Sequence, residues 1–248
     1  MILIDDAISA CVTSFCLSRT ATYPFGIQRT GHLIVTADNP PRKTGGRNPE
    51  IFVMPGATAS NAISQIKDLQ LGERYVLSVM CDMKTDIKEL SSDYKSLGFR
   101  LRTTEALMVL DLSKPIQTQN RHEIKPVETP DDAEKLKILT KARVLASEVM
   151  TINGGEVRTF YCDVNDEAVA WCRSIITHPT AAYVSGMFTK PEFRRQGIGT
   201  ELLAAMTKSD ADHGLQYSVL LATHTGEHLY KSFGYERIGT LVMFSPRR

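Results

Sequence analysis

The hexamer Tyr94-Lys95-Ser96-Leu97-Gly98-Phe99 returns almost letter for letter as Tyr230-Lys231-Ser232-Phe233-Gly234-Tyr235. Around both copies the order is strand, helix, strand, helix, hexamer, then β-rich sequence, so the chain reads as one α/β unit written twice. Its 248 residues leave room for that, because compact domains commonly run to about 100–150 residues. Apolar residues make up 42% and charged residues 23%, near globular averages, so each copy has the means to bury a core. The expected fold class is α/β of the α+β type, with mixed sheets flanked by helices. The expected domains are residues 1–113 and 123–248, joined by a polar, proline-containing linker at 114–122.

Periodicity places helices at Asp5 to Arg19, Ala59 to Leu69 and Asp86 to Ser96, and strands at Gly31 to Thr36, Ile51 to Met54 and Tyr75 to Cys81. Between the first two strands lies the basic loop Asn39 to Asn48, read as a solvated hairpin loop because no helix follows it. In the second half, Glu123 to Val127 reads as a strand. Thr129-Pro130-Asp131-Asp132 reads as a helix start, with threonine at the N-cap, proline at the first position and acids in the first turn. That helical run continues to about Met150. After the break at Asn153-Gly154-Gly155 come the hairpin strands Val157 to Asp163 and Ala168 to Thr177, joined at Asn165-Asp166. The strands Ala182 to Phe188 and Tyr217 to Ala222 follow.

Between those two strands sits Thr189-Lys190-Pro191-Glu192-Phe193-Arg194-Arg195-Gln196-Gly197-Ile198-Gly199-Thr200, which opens a helix carrying Leu202, Leu203 and Met206 on one face. A helix start leaves its first N–H groups without intrahelical partners and carries partial positive charge, both of which suit a phosphate. Gly197 and Gly199 remove two Cβ atoms from the approach. Arg194 and Arg195 add charge-assisted donors. The matching stretch of the first half, Pro55 to Asn61, has one glycine and no arginine, which makes it a poor diphosphate cradle with a structural or substrate-shaping role.

An apolar strand, Thr-x-Pro-x-Phe-Arg-Arg-x-Gly-x-Gly and a Leu-Leu helix strongly resemble the acyl-CoA loop of the GNAT acetyltransferase superfamily. Leu229-Tyr230-Lys231-Ser232-Phe233-Gly234-Tyr235 resembles that family's second motif, one strand further on. The resemblance covers roughly Glu123 to Phe244, with the first half a degenerate GNAT-like unit. It implies an N-acyltransferase that moves an acetyl group from acetyl-CoA to a primary amine of a small molecule, peptide or protein by direct attack on the thioester. The alternative is a non-catalytic acyl-CoA-binding regulatory module. Carried over residue by residue, the resemblance implies cofactor contacts at Met187, Phe188, Thr189, Arg194, Arg195, Gln196, Gly197, Ile198, Gly199, Thr200 and Thr223, and a catalytic acid at Tyr230. Thr223 stands where the family often has asparagine. Gly186 fits either a bulge that splays the strand or close packing.

Acyl transfer to an amine needs a held donor, a deprotonated amine, a place for the oxyanion and a proton for the thiolate. A phenol, with a reference pKa of about 10, is protonated at neutral pH and able to supply that proton. The base is open among Glu148, Glu167, His224 and water. The length of the acyl group and the acceptor are open as well. A net charge of +1 argues against a broad nucleic-acid or membrane surface. Five scattered cysteines without a CxxC pair point to reduced, buried thiols and no metal. The start lacks the basic flank of a secretory signal, and no apolar run approaches the roughly 20 residues of a spanning helix. A cytoplasmic monomer or homodimer is expected.

Overall fold

A computed structural model describes residues 2–20, 22–42, 44–72, 74–114, 121–140 and 157–247. The helical run beyond residue 140, the Asn153-Gly154-Gly155 break, Glu148 and most of the linker lie outside these. The chain divides into two compact units, one of Phe15–Met108, Leu221–Glu227 and Arg237–Arg248, the other of Met1–Ser14, Val109–Leu220 and His228–Glu236.

In the first unit, β1 (Phe25–Thr30), β2 (Leu33–Asp38), β3 (Glu50–Val53) and β4 (Val76–Asp82) follow one another across the sheet. The carboxyl-terminal strand β11 (Glu236–Pro246) lies beside β4, antiparallel, with Gly239 opposite Asp82 and Phe244 opposite Leu77. It separates β4 from β5 (Phe99–Asp111). The β3–β4 pair is parallel, and between them the chain crosses through α2 (Ala59–Asp68), while α3 (Ile87–Ser96) follows β4. Ala62, Ile63 and Ile66 of α2 and Tyr94 of α3 bury one face against Val53, Leu77, Val79, Val242 and Phe244. The spacing of those helix residues at three and four positions makes this one apolar stripe. β1 was not foreseen; only intermediate and exposed residues occupy it, so no apolar alternation marks it. The basic loop spends its arginines internally: Arg47 pairs with Asp38 at 2.5 Å and donates to the Tyr23 carbonyl at 3.1 Å.

Tyr94 is wholly buried, stacked on Phe244 at 4.6 Å and edge-on to Phe99. Its hydroxyl has no hydrogen-bond partner among the described residues, and burial raises its pKa. A buried hydroxyl left unsatisfied costs about 1–3 kcal/mol. Tyr94→Phe is therefore expected to raise stability by about 1 kcal/mol, read as a higher urea midpoint at unchanged m-value. A lower midpoint would show that the hydroxyl is paired.

In the second unit, β6 (Ile124–Pro126), β7 (Val157–Val164), β8 (Glu167–Ile176) and β9 (Ala181–Thr189) form an antiparallel meander, and β10 (Tyr217–Ala222) joins β9 in parallel. Asn165 and Asp166 both take positive φ, 51° and 62°, as the two-residue turn demands. The helix α4 (Pro130–Thr140) opens as its sequence predicts. The Thr129 hydroxyl accepts from the Asp132 N–H at 3.2 Å, and the Asp132 carboxylate accepts the Thr129 N–H at 3.0 Å, a reciprocal cap. The helix α5 (Ile198–Asp212) packs on β7, β8 and β9, burying Leu202, Leu203 and Met206. The last helix is α6 (His224–Phe233). All five cysteines are buried and unbridged; burial pushes Cys16 and Cys162 up to about 11 and Cys81 up to about 12.

Candidate active site

β9 is paired fully on one side only. Along β8 its register runs from Ile176 opposite Ala182 to Arg173 opposite Ser185, then slips, so that Trp171 faces Phe188. Gly186 and Met187 thus stand against the single residue Cys172, a β-bulge, and Gly186 takes φ +61°. Both readings of Gly186 hold, because it sits in the bulge and a Cβ there would stand 2.7 Å from the Arg173 Nη2. Toward β10 the register covers only Ala181–Tyr183 against Tyr217–Val219. Among the described residues this edge of β9 has no strand partner from Val184 onward, so main-chain groups there are open to another partner.

Local bonds shape the loop after β9. A 3-10 turn, Pro191–Phe193, follows Lys190. The Arg194 Nε donates to the Thr189 carbonyl at 2.9 Å, and the Gln196 amide donates to the Glu192 carbonyl at 3.2 Å. Arg195 sits at φ +62° and Gly197 at φ +90°. A non-glycine residue held left-handed costs of order 1 kcal/mol and is typical of ligand-gripping loops. Gly197 is the N-cap of α5 and offers no side-chain cap. Among the described residues the N–H groups of Gly197, Ile198 and Gly199 have no acceptor, while those of Thr200 and Glu201 fold back on the Gly197 carbonyl. In the first unit the corresponding helix α2 is closed, because the Thr58 side chain accepts from the Asn61 N–H at 3.2 Å. One helix start is sealed by its own hydroxyl; the other is open.

The two glycines differ in what they do. A Cβ on Gly197 would have free space but a strained φ; one on Gly199 would sit 3.4 Å from the Leu229 side chain and 3.9 Å from the Thr189 hydroxyl. Gly199 is thus a packing glycine as well as an amide donor. Ile198 is buried beneath the turn and Thr200 is exposed. Met187 is half-buried, and the Phe188 ring lies tilted against Trp171 with centroids 4.7 Å apart.

Tyr230 lies on α6, 8% exposed, edge-on to Tyr235, whose own hydroxyl bonds Ser218 at 2.7 Å. Unlike Tyr94, Tyr230 keeps a hydroxyl that is not sealed from solvent, and it makes no hydrogen bond to the described residues. Burial, with a smaller push from Cys172, raises its pKa to about 12. Thr223 belongs to the other unit and spends its hydroxyl locally, on the Gly226 N–H and on Thr225, both at 3.3 Å.

Among the base candidates, Glu167 is ion-paired with Lys190, and the His224 Nε2 lies 3.2 Å from the Thr104 hydroxyl. Sequence reasoning missed Glu201. It is buried in the first turn of α5, where its carboxylate accepts the Arg121 N–H at 3.2 Å and bonds the main chain and ring of His122 at 2.8 and 3.0 Å. The end of the linker is thereby tied to the helix that carries the open amides. A cavity of about 260 Å³ occupies the corresponding place in the first unit, at the ends of β3 and β4, lined by Met54, Gly56, Met80, Cys81, Thr85 and Leu90. No group of three or more His, Cys, Asp or Glu side chains suited to a metal occurs among the described residues. No described helix is long and apolar enough to cross a membrane.

Residues 156–237 match the family described as Acetyltransferase (GNAT) domain. No curated protein matches the chain in sequence. Among solved structures the chain is similar to a GCN5-related N-acetyltransferase from Kribbella flavida, with TM-score 0.68 at 14% identity, covering 96% of this chain and 95% of that one. It is also similar to a tandem GNAT protein from the clavulanic acid biosynthesis pathway, with TM-score 0.58, 12% identity and coverage of 97% and 94%. A GCN5-related N-acetyltransferase from Sphaerobacter thermophilus gives TM-score 0.57, 12% identity and coverage of 100% and 95%.

Proposed function

We propose that this chain, whose residues 156–237 match the family described as Acetyltransferase (GNAT) domain, is an acetyl-CoA-dependent N-acetyltransferase acting on a primary amine. The observation that carries the reading is the open start of α5: three unclaimed amides behind a glycine N-cap, beside the edge of β9 that loses its partner after Tyr183. Amides at a helix start suit a diphosphate, and the unpaired strand edge suits the amide-bearing arm of a thioester donor. In the reaction, the amine nitrogen bonds to the thioester carbon and gives up a proton to water or a basic side chain, the carbon–sulfur bond breaks, and the departing sulfur takes a proton. Main-chain N–H groups at Met187 to Thr189 polarise the carbonyl, and Tyr230 supplies the proton. Arg194, Arg195 and Gln196 shape the loop around the diphosphate, with Thr200 at its margin. The protein works in the cytoplasm, and the amine is free in solution or on a peptide.

Titration calorimetry with acetyl-CoA, followed by CoA release across a panel of amines, tests this. Gly197→Ala forces a strained φ and is expected to weaken donor binding about tenfold, the equivalent of about 1.4 kcal/mol. Gly199→Ala is expected to weaken it less, because the added methyl meets Leu229 at an ordinary contact distance. Equal, negligible effects, or no binding by the unaltered protein, would overturn the assignment. A second reading, a binding module without transfer, is favoured by the local engagement of Thr223, Glu167 and His224. Tight donor binding with no amine-dependent CoA release would identify it.

A further inference from the structure

We propose that Arg173, a residue of β8 outside the donor loop, is a positioning residue that holds the β9 bulge in the shape needed to polarise a bound thioester. This rests on the reading of β9 as the donor strand. Arg173 faces Ser185 at the last regular pair before the register slips, and its Nη2 donates to the Ser185 hydroxyl at 3.4 Å. A Cβ built on Gly186 would stand 2.7 Å from that Nη2, 3.2 Å from Nε and 3.3 Å from Cζ. The Nη2–Nε edge of the guanidinium therefore takes up space that a side chain on residue 186 would fill. A side chain at 186 would push the guanidinium from this place, and the φ of +61° itself favours glycine.

Cost argues that the charge has a use. Arg173 is 8% exposed, in a strand whose neighbours are mostly apolar, and burial lowers its pKa. Taking a guanidinium out of water is expensive even when it is hydrogen-bonded, and a methionine would fill the same length with no charge to compensate. What the arginine adds is a rigid, planar cation against the peptide that precedes Met187, the first of the amides assigned to the thioester carbonyl. A fixed positive charge there needs no reorganisation when negative charge develops on that oxygen. The bulge turns the amides outward; the guanidinium keeps them turned and deepens their field.

The test needs no knowledge of the acceptor. Acetyl-CoA carrying ¹³C at the thioester carbonyl is bound to the unaltered protein, to R173M and to R173K. Affinity is read by calorimetry and carbonyl polarisation by infrared difference spectroscopy. In the unaltered protein the carbonyl band is expected to move to lower frequency on binding. In R173M the affinity is expected to stay within about threefold while the downshift is largely lost, and transfer to slow by about tenfold to a hundredfold in kcat rather than KM. R173K is expected to keep part of both, and it is the working comparison should R173M not fold. An unchanged band in the variants overturns the proposal, as does a loss of affinity and of thermal stability in step, the mark of a packing role alone. If acetyl-CoA fails to bind the unaltered protein, the donor-site reading itself has failed, and that is seen before any variant is measured.

Discussion

Tyr230→Phe is expected to lower kcat by about 10²-fold or more while acetyl-CoA binding stays nearly unchanged. The change removes one oxygen from a ring that is 8% exposed and packed edge-on to Tyr235, so the helix keeps its apolar contacts and only the proton is lost. A packing tyrosine with no hydrogen bond to protect would tolerate phenylalanine at full activity, and that result would remove the acid. The pH profile separates the roles further. Burial raises the phenol to about 12, so its protonated form persists across the working range and no fall in rate on its account is expected between about pH 7 and 10. The same shift makes it a weaker acid than a free phenol, with a reference value of about 10, so transfer must accompany carbon–sulfur cleavage rather than follow it. A rate that rises to a plateau as the amine loses its proton fits this arrangement; a falling limb near pH 8 would assign the acid to another group.

The turn before α5 was legible because its shape is a matter of main-chain geometry. Open amides call for glycine at the cap, and Gly197 at φ +90° is a conformation that few other residues adopt. The reciprocal cap at Thr129 and Asp132 was legible for a similar reason, since both partners lie within four positions. What could not be read depends on partners distant in sequence. Nothing local marks β11 as a neighbour of β4, and β1 carries no apolar alternation. Glu201 reaches back to His122, and Arg158 to Asp210. On a helix such acids look like a solvated face, and only packing shows them buried. The near-identical hexamers mislead in one respect: they place a tyrosine on the same helix of each unit, but Tyr94 has its hydroxyl sealed in the core and Tyr230 does not. The one local hint of Arg173 was a charge inside a mostly apolar strand, a pattern that also fits an exposed edge.

Arg158→Ala is expected to be the most destabilising of these changes, costing about 3–5 kcal/mol at pH 8. The Nη2 of Arg158 pairs with Asp210 at 2.5 Å, and the same carboxylate oxygen accepts from Ser174 at 2.8 Å. Asp210 is wholly buried on α5, so the pair ties that helix to β7 and β8. Desolvation outweighs both partners and lifts the Asp210 pKa to about 6. A folded-state value above the unfolded one means that this group favours folding most fully below about pH 4, and that the contribution is lost as pH rises through 6. Without Arg158 the carboxyl rises further. The variant's loss is then expected to be small at pH 5, where a proton replaces the arginine, and to grow toward pH 8, where a bare buried charge remains. Urea unfolding at the two pH values reads this directly; a loss independent of pH would mean that the arginine acts by packing alone. Removing both charges, Arg158→Met with Asp210→Leu, is expected to recover most of the deficit, because no buried charge is then left unpaired. Since the first turn of α5 carries the open amides, saturating acetyl-CoA is expected to restore part of the single variant's stability, by about 2.7 kcal/mol at a hundred times Kd.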